Sequence, residues 1–76
     1  MIPDLTIKLA SRQMGDGHFY PEFILFENHS SAVGMQTFSF AESPCSSEQE
    51  ANEKAKAGAL KHIHNNYREG TTYAIQ

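Results

Sequence analysis

Two histidines near the end of the chain, His62 and His64, have the chemistry to bind a metal ion. They lie in SSEQEANEKAKAGALKHIHNN, residues 46–66, a stretch typical of a helix. Helical residues two apart point about 200° away from each other, so one ion cannot bind both. No spacing of Cys, His and Asp matches a zinc site. We predict no metal and no other cofactor, and interpret both histidines as exposed side chains at a helix C-terminus, where positive charge is stabilising.

Cys45 is the only cysteine and the first candidate nucleophile. A thiol just before a helix can have a lowered pKa and raised reactivity. Nucleophilic catalysis also needs a paired base, and no such pattern accompanies Cys45. The segment GDG, residues 15–17, lacks the phosphate-loop pattern, and no helix follows it. We therefore expect an ordinary loop cysteine and no enzyme. A single cysteine cannot form an internal disulfide, which favours a cytoplasmic location.

Three cations, Lys54, Lys61 and Arg68, are spaced by seven residues and lie near one line of the predicted helix. Such a line can contact phosphates. Glu50 and Glu53 lie beside it, and the net charge of −3 gives no bulk attraction to nucleic acid or anionic lipid. A solvated, charge-balanced helix face is the first interpretation. Nucleic-acid binding through these three residues is the alternative function.

The elements that position these residues follow from the periodicity of the chain. Residues 4–12, DLTIKLASR, alternate between apolar and polar and predict a half-buried strand. MGDG, 14–17, predicts a hairpin turn before a second strand over 18–28, HFYPEFILFEN. A loop over 29–34 then leads to a third strand over 35–42, MQTFSFAE. In the third strand, Phe38 and Phe40 share one face, and Met35 and Thr37 share the other.

The second strand is apolar on both faces. The two alternating sets are Phe19, Phe23 and Leu25 on one face, and Tyr20, Ile24 and Phe26 on the other. Pro21 lacks a backbone donor and predicts an edge or a bulge, and a bulge would exchange the two faces. One helix covers only one face of a sheet, and a small domain rarely leaves such a patch without a partner. We therefore predict that Tyr20, Ile24 and Phe26 are protein-binding residues.

Helix signals follow the break SPCSS. Ser46 or Ser47 can cap the first turn, with Gln49 or Glu50 three residues later as in a capping box. Apolar and small residues recur every four positions: Ala51, Ala55, Ala59, Ile63 and Tyr67. This stripe predicts a face that packs closely against a sheet. Gly70 predicts the helix stop.

These elements predict a single α+β domain over residues 1–76: a three-stranded antiparallel β-meander with one C-terminal α-helix packed on one face. Thr72, Tyr73 and Ile75 fit either a short fourth strand or a frayed end. A chain of 76 residues has a small core, to which dimerisation would add stability. The hydrophobic fraction of 39% and charged fraction of 20% exclude a disordered or membrane composition.

The order strand–strand–strand–helix is similar to that of the AP2-type and integrase arm-type DNA-binding domains. The stretch TFSFAESPCSSEQEANEKA, residues 37–55, resembles their entry into the helix. That resemblance implies DNA contact through a basic sheet, whereas Lys8 and Arg12 are the only Lys or Arg residues before the helix. In size and class the chain is also similar to small acidic phage-encoded inhibitors of bacterial defence, anti-CRISPR proteins among them.

The hypothesis that fits these observations is a non-catalytic protein-binding module. It is a small cytoplasmic adaptor or inhibitor, of the kind that phages or mobile elements direct against host defence. It docks another protein, or its own copy, through the open sheet face or edge. Nucleic-acid binding is the alternative, an enzyme is third, and no membrane partner is expected.

Overall fold

The computed structural model describes residues 2–29 and 34–76, in which four strands form one sheet with a helix against it. The elements are β1 (Leu5–Gln13), β2 (Phe19–Glu27), β3 (Gly34–Ser39), α1 (Glu48–Asn66) and β4 (Tyr73–Ile75). The spatial order is β3-β2-β1-β4, with β1, β2 and β3 antiparallel and β4 parallel to β1. The predicted α+β meander with a C-terminal helix is confirmed, and the C-terminal residues form the short fourth strand.

The core lies between the helix-facing side of the central strands and the alanine stripe of α1. Its buried members are Leu5, Ile7, Phe23, Leu25, Ala55, Ala59 and Ile63. Because alanine adds only a methyl group to the backbone, α1 lies close against β1 and β2. The prediction that this stripe is a packing face is confirmed.

The helix begins where the capping signals predict. Ser47 is the N-cap, and its hydroxyl accepts the backbone N–H of Glu50 at 3.1 Å. Ser46 instead donates to the Glu50 carboxylate at 2.9 Å. The bond to Ser47 satisfies one of the free N–H groups of the first turn. The first turn also carries acidic side chains, which are stabilised at the positive end of the helix dipole.

The helix ends at Asn66, so the prediction of Gly70 as its stop is wrong. The Asn66 side chain donates to the carbonyl oxygen of His62 at 2.9 Å, and Tyr67 is already extended. Gly70, with φ +92°, instead lies in the turn that the Thr71 N–H closes onto Arg68. A turn with positive φ at its third residue favours glycine there.

The third strand is shorter than predicted. It ends at Ser39, and the Ser43 N–H then turns back to the carbonyl of Phe40 at 3.2 Å. Phe38 and Phe40 pack against the core while Met35 and Thr37 are exposed, so the predicted faces are confirmed. Part of the loop predicted before this strand, residues 30–33, lies outside the described residues.

Pro21 introduces no bulge, because β1 and β2 pair one-to-one along their whole length. The Pro21 carbonyl accepts the Phe40 N–H at 3.0 Å, so its nitrogen also faces the side on which β3 has just ended. The bond that a donor at position 21 would make to the Phe40 carbonyl is absent, and that carbonyl accepts the Ser43 N–H instead, so Pro21 is tolerated as at an edge. The alternation of β2 therefore continues through Pro21 and places Tyr20, Ile24 and Phe26 on the face away from α1.

Gly58 lies where the helix comes closest to the ring of Phe40. A Cβ at Gly58 would stand 2.7 Å from the Cζ atom of that ring. Replacing glycine by alanine inside a helix normally stabilises it by about 1 kcal/mol. We predict that Gly58→Ala leaves the free energy of unfolding unchanged or lowers it, because the ring must move. In a Phe40→Leu background the same change should raise it by about 1 kcal/mol.

Urea unfolding of the four variants in this double-mutant cycle measures the coupling. An equal effect of Gly58→Ala in both backgrounds would contradict the contact.

Candidate binding surface at the β3 edge

The backbone of β3 forms one edge of the sheet. Because the Phe40 N–H bonds to β2, alternation also turns the backbone groups of Gln36 and Phe38 inward. Those of Met35, Thr37 and Ser39 point away from the sheet. Within residues 2–29 and 34–76 no strand pairs with them. Such a row of outward N–H and C=O groups is a template for another strand.

This edge lacks the features that usually protect an edge strand. The six residues of β3, GMQTFS, include no charge and no proline, and they pair with β2 without a bulge. The opposite edge of the sheet is formed by β4, which has only three residues. The next residue, Gln76, still bonds to β1, through its N–H to the Ile7 carbonyl at 2.8 Å. β3 is therefore the longer of the two edge strands.

An apolar patch lies on the open sheet face, away from α1, and extends to the β3 edge. Phe26 lies directly opposite Met35, and Ile24 opposite Thr37. Phe26 and Ile24 are half-buried, and Met35 is 55% exposed. Tyr20 lies on the same face but about 20 Å from Phe26 along β2. The structure thus brings two of the three predicted protein-binding residues together.

Polar contacts separate Tyr20 from this apolar patch. Glu22, between Tyr20 and Ile24 on the same face, lies 3.6 Å from the guanidinium of Arg12. The Ser39 hydroxyl donates to the same carboxylate at 3.3 Å. The open face is therefore polar towards the hairpin, and the apolar patch lies towards the other end of β3, beside Thr6 and Lys8 of β1.

Tyr20 is also tied to its own hairpin turn. Its hydroxyl donates to Asp16 at 2.5 Å, and the backbone N–H of His18 donates to the same carboxylate at 2.9 Å. The bond from Tyr20, followed by that from the His18 backbone, lowers the pKa of Asp16. The same bond raises the pKa of Tyr20, because it favours the protonated phenol. Tyr20 thus stabilises the turn through its hydroxyl.

An aromatic groove lies on the other side of the β3 edge, between β3 and α1. It has a volume of about 240 Å³, and its lining comprises Phe23, Phe38, Phe40, Gly58, Lys61, His62, Asn65 and Asn66. The rings of Phe23 and Phe38 stack with their centroids 4.7 Å apart. His62 packs on Phe38 at 4.5 Å. The base of the aromatic groove, its apolar floor, is therefore formed by phenylalanine rings, and the imidazole of His62 lies at one side of it.

The half-buried position of His62 differs from the exposed one that was predicted for both histidines. Only His64 is exposed. His62 comes three residues after the buried Ala59 and seven after the buried Ala55, so it lies at the border of the helix stripe that faces the sheet. The missing information was the position of Phe38, which approaches this border from β3.

Among the described residues, the polar lining of the aromatic groove contains no carboxylate. Its polar members are Lys61, His62, Asn65 and Asn66. The chain as a whole has a net charge of −3. The aromatic groove is thus a cationic site on an acidic protein.

The three cations predicted to lie along one helix line are placed differently. Lys54 lies 3.7 Å from Glu50, four residues earlier on the helix. Lys61 lines the aromatic groove, and Arg68 lies beyond the end of α1. The predicted line therefore holds for Lys54 and Lys61 alone.

A second, polar groove lies where the end of α1 meets the start of β1. Among its lining residues are Asp4, Glu27, His29, Tyr67 and Arg68. Tyr67 donates to Glu27 at 3.0 Å, and burial, followed by this bond, raises the pKa of Tyr67. His29 lies 3.4 Å from the Asp4 carboxylate. In the described part of the chain no three His, Cys, Asp or Glu residues are arranged to hold a metal ion.

Cys45 is buried and has a structural role. It exchanges two backbone hydrogen bonds with Phe19, at 2.9 and 2.7 Å, and its thiol donates to the Ser43 carbonyl at 3.4 Å. Its exposed fraction is 1%. The connection between β3 and α1 is thereby fixed to the start of β2.

We predict that native Cys45 reacts with dithionitrobenzoate at least about 100-fold more slowly than the urea-unfolded chain, because the thiol is reached only when the fold opens. The release of thionitrobenzoate, followed by absorbance, measures both rates. Equal rates in native buffer and in urea would show that the thiol is accessible.

Comparison with protein-family models, curated proteins and solved structures gives no significant match in any of the three. Among the described residues, no helix is both long enough and apolar enough to cross a bilayer. The similarity to AP2-type and integrase arm-type domains thus rests on the order of the elements and the entry into α1.

Proposed function

We propose that the protein is a non-catalytic protein-binding module that accepts an extended segment of another protein as a strand beside β3. The unprotected β3 edge is the observation that carries this proposal, because Met35, Thr37 and Ser39 direct their backbone groups outward. In this mode of recognition, main-chain hydrogen bonds supply affinity and flanking pockets supply specificity.

The surfaces on both sides of the edge support the same proposal. Side chains of an added strand alternate between the two faces of the sheet. One set would meet the apolar patch formed by Met35, Phe26 and Ile24. The other would meet the aromatic groove. An added strand would therefore bury apolar surface on both faces as well as form a ladder.

The charges favour a different protein over a second copy as the occupant. Antiparallel pairing of two β3 strands about a two-fold axis keeps both helices on the same side of the joined sheet. It would therefore bring two aromatic grooves to one seam, each with a Lys61 and neither with a carboxylate. A partner segment that carries acidic residues lacks this repulsion.

A small adaptor or inhibitor acting in the cytoplasm is the cellular role that fits such a module. Support comes from the chain length, the acidic net charge and the absence of a disulfide requirement. The similarity in size and class to phage-encoded inhibitors supports an origin in a phage or mobile element. Nucleic-acid binding has less support, because Lys54 is paired with Glu50 and Arg68 lies outside the helix.

Thr37→Pro removes one outward N–H and leaves the β2 ladder intact, so we predict that it weakens partner binding about tenfold or more. Met35→Glu, which places a charge at the edge that also repels an acidic segment, should act in the same direction. Thr37→Val and Met35→Leu are the matched controls and should bind within about twofold of the native chain.

The measurements for this prediction are titration calorimetry with the partner captured from a lysate of the source organism and amide exchange with and without it. The amides of Met35, Thr37 and Ser39 should become protected in the complex. A complex in which these three amides exchange as fast as in the free protein would contradict strand addition.

Phe26→Ser should weaken the same complex about tenfold, because it removes the apolar side chain opposite Met35. Tyr20→Ser should change affinity less and lower stability instead, because it removes the bond to Asp16. Calorimetry and urea unfolding separate these effects. If Phe26→Ser abolished cooperative unfolding, Phe26 would be a core residue and its surface role would be refuted.

A further inference from the structure

We infer that the β3 edge selects an acidic partner segment, in which an apolar side chain enters the aromatic groove and a neighbouring carboxylate contacts Lys61. This inference rests on the proposed function and names the class of segment that would be bound. It is carried by the lining and the charge of the aromatic groove.

The position of α1 explains why the aromatic groove lies directly beside the edge. The helix packs against β1 and β2, so the rings of Phe38 and Phe40 are only partly covered. If another strand paired with β3, every second side chain of that strand would point to the face of the sheet that carries α1. These side chains would lie against the two rings. Gly58 keeps the helix side open, because any side chain there would meet Phe40.

The floor of the aromatic groove suits an apolar or aromatic side chain. The ring centroid of Phe38 lies 4.7 Å from that of Phe23 and 4.5 Å from that of His62. Phe40 lies 5.9 Å from Phe23, between ring centroids. Offset and tilted ring pairs at these distances are favourable, and a further aromatic ring would extend them.

Lys61 supplies the charge that selects a carboxylate. The helix neighbours of Lys61 at spacings of three and four are Ala57, Gly58, His64 and Asn65, none of them acidic. Lys54, in contrast, has Glu50 four residues before it and lies 3.7 Å from its carboxylate. Lys61 therefore has no acidic neighbour along the helix, and the described residues that line the aromatic groove supply none either.

A single-stranded nucleic acid is the competing class of ligand, since bases stack on aromatic rings and Lys61 can meet a phosphate. Two observations favour the peptide. The adjacent β3 backbone can pair with another main chain, and the net charge of −3 repels a phosphodiester chain, which carries a charge on every nucleotide, more than a segment with one carboxylate.

The test is a selection of random displayed peptides of about twelve residues against the immobilised full-length protein, followed by fluorescence anisotropy with the enriched peptides. We expect enrichment of an apolar residue beside Asp or Glu. Replacing that acid by its amide should weaken binding about tenfold, as should Lys61→Glu in the protein.

Lys56→Glu is the matched control. It makes the same charge change on α1, about 140° around the helix from Lys61, and should alter the Kd by less than about twofold. A Lys61→Glu protein should also prefer a peptide in which the acid is replaced by lysine, which a general loss of folding would not produce.

Three outcomes would overturn the inference. Peptides that protect the Met35, Thr37 and Ser39 amides but bind the native and Lys61→Glu proteins equally would refute the acidic selection and leave the proposed function standing. Enriched peptides that protect none of these amides would refute strand addition itself. Tighter binding of a twelve-nucleotide oligothymidine than of any peptide, lost on Lys61→Glu, would assign the aromatic groove to nucleic acid.

Discussion

The close contact between the alanine stripe of α1 and the buried residues of β1 and β2 determines the remaining features of this fold. A helix about 10 Å across covers roughly two strands spaced about 4.8 Å apart. Because α1 is centred on β1 and β2, it cannot also cover β3. The half-buried rings of Phe38 and Phe40, the aromatic groove and the bare edge all follow from this mismatch in width.

The sequence predicts the parts of the fold that depend on local alternation and capping. Alternation in β2 is preserved through Pro21, because that residue lies where its neighbour strand has ended. It therefore places Ile24 and Phe26 on the open face. The four-residue spacing of Ala51, Ala55 and Ala59 likewise predicts the buried helix face.

Other parts depend on contacts between distant residues and were not predictable from one sequence. The helix ends before Gly70. Tyr67, the residue after the helix, donates a hydrogen bond to Glu27, which is 40 residues away in the chain. His62 is half-buried because Phe38 approaches it from β3. The sequence predicts which side chains of β3 share a face of the sheet, but it does not predict how far β3 lies from α1. The aromatic groove, which requires both, therefore had no sequence signal apart from the uncompensated Lys61.

Main-chain pairing alone does not distinguish one extended segment from another, so a bare edge strand needs a second source of specificity. In this protein the open face offers an apolar patch, which discriminates weakly because many side chains fit it. The aromatic groove offers a cation beside an apolar floor, a combination that penalises both basic and purely polar segments. The same cation disfavours the pairing of two β3 strands, because each copy would bring its own Lys61 to the seam. Lys61, which has no acidic neighbour along the helix or among the described residues that line the aromatic groove, thus supports both selection of a partner and protection of the edge from self-association.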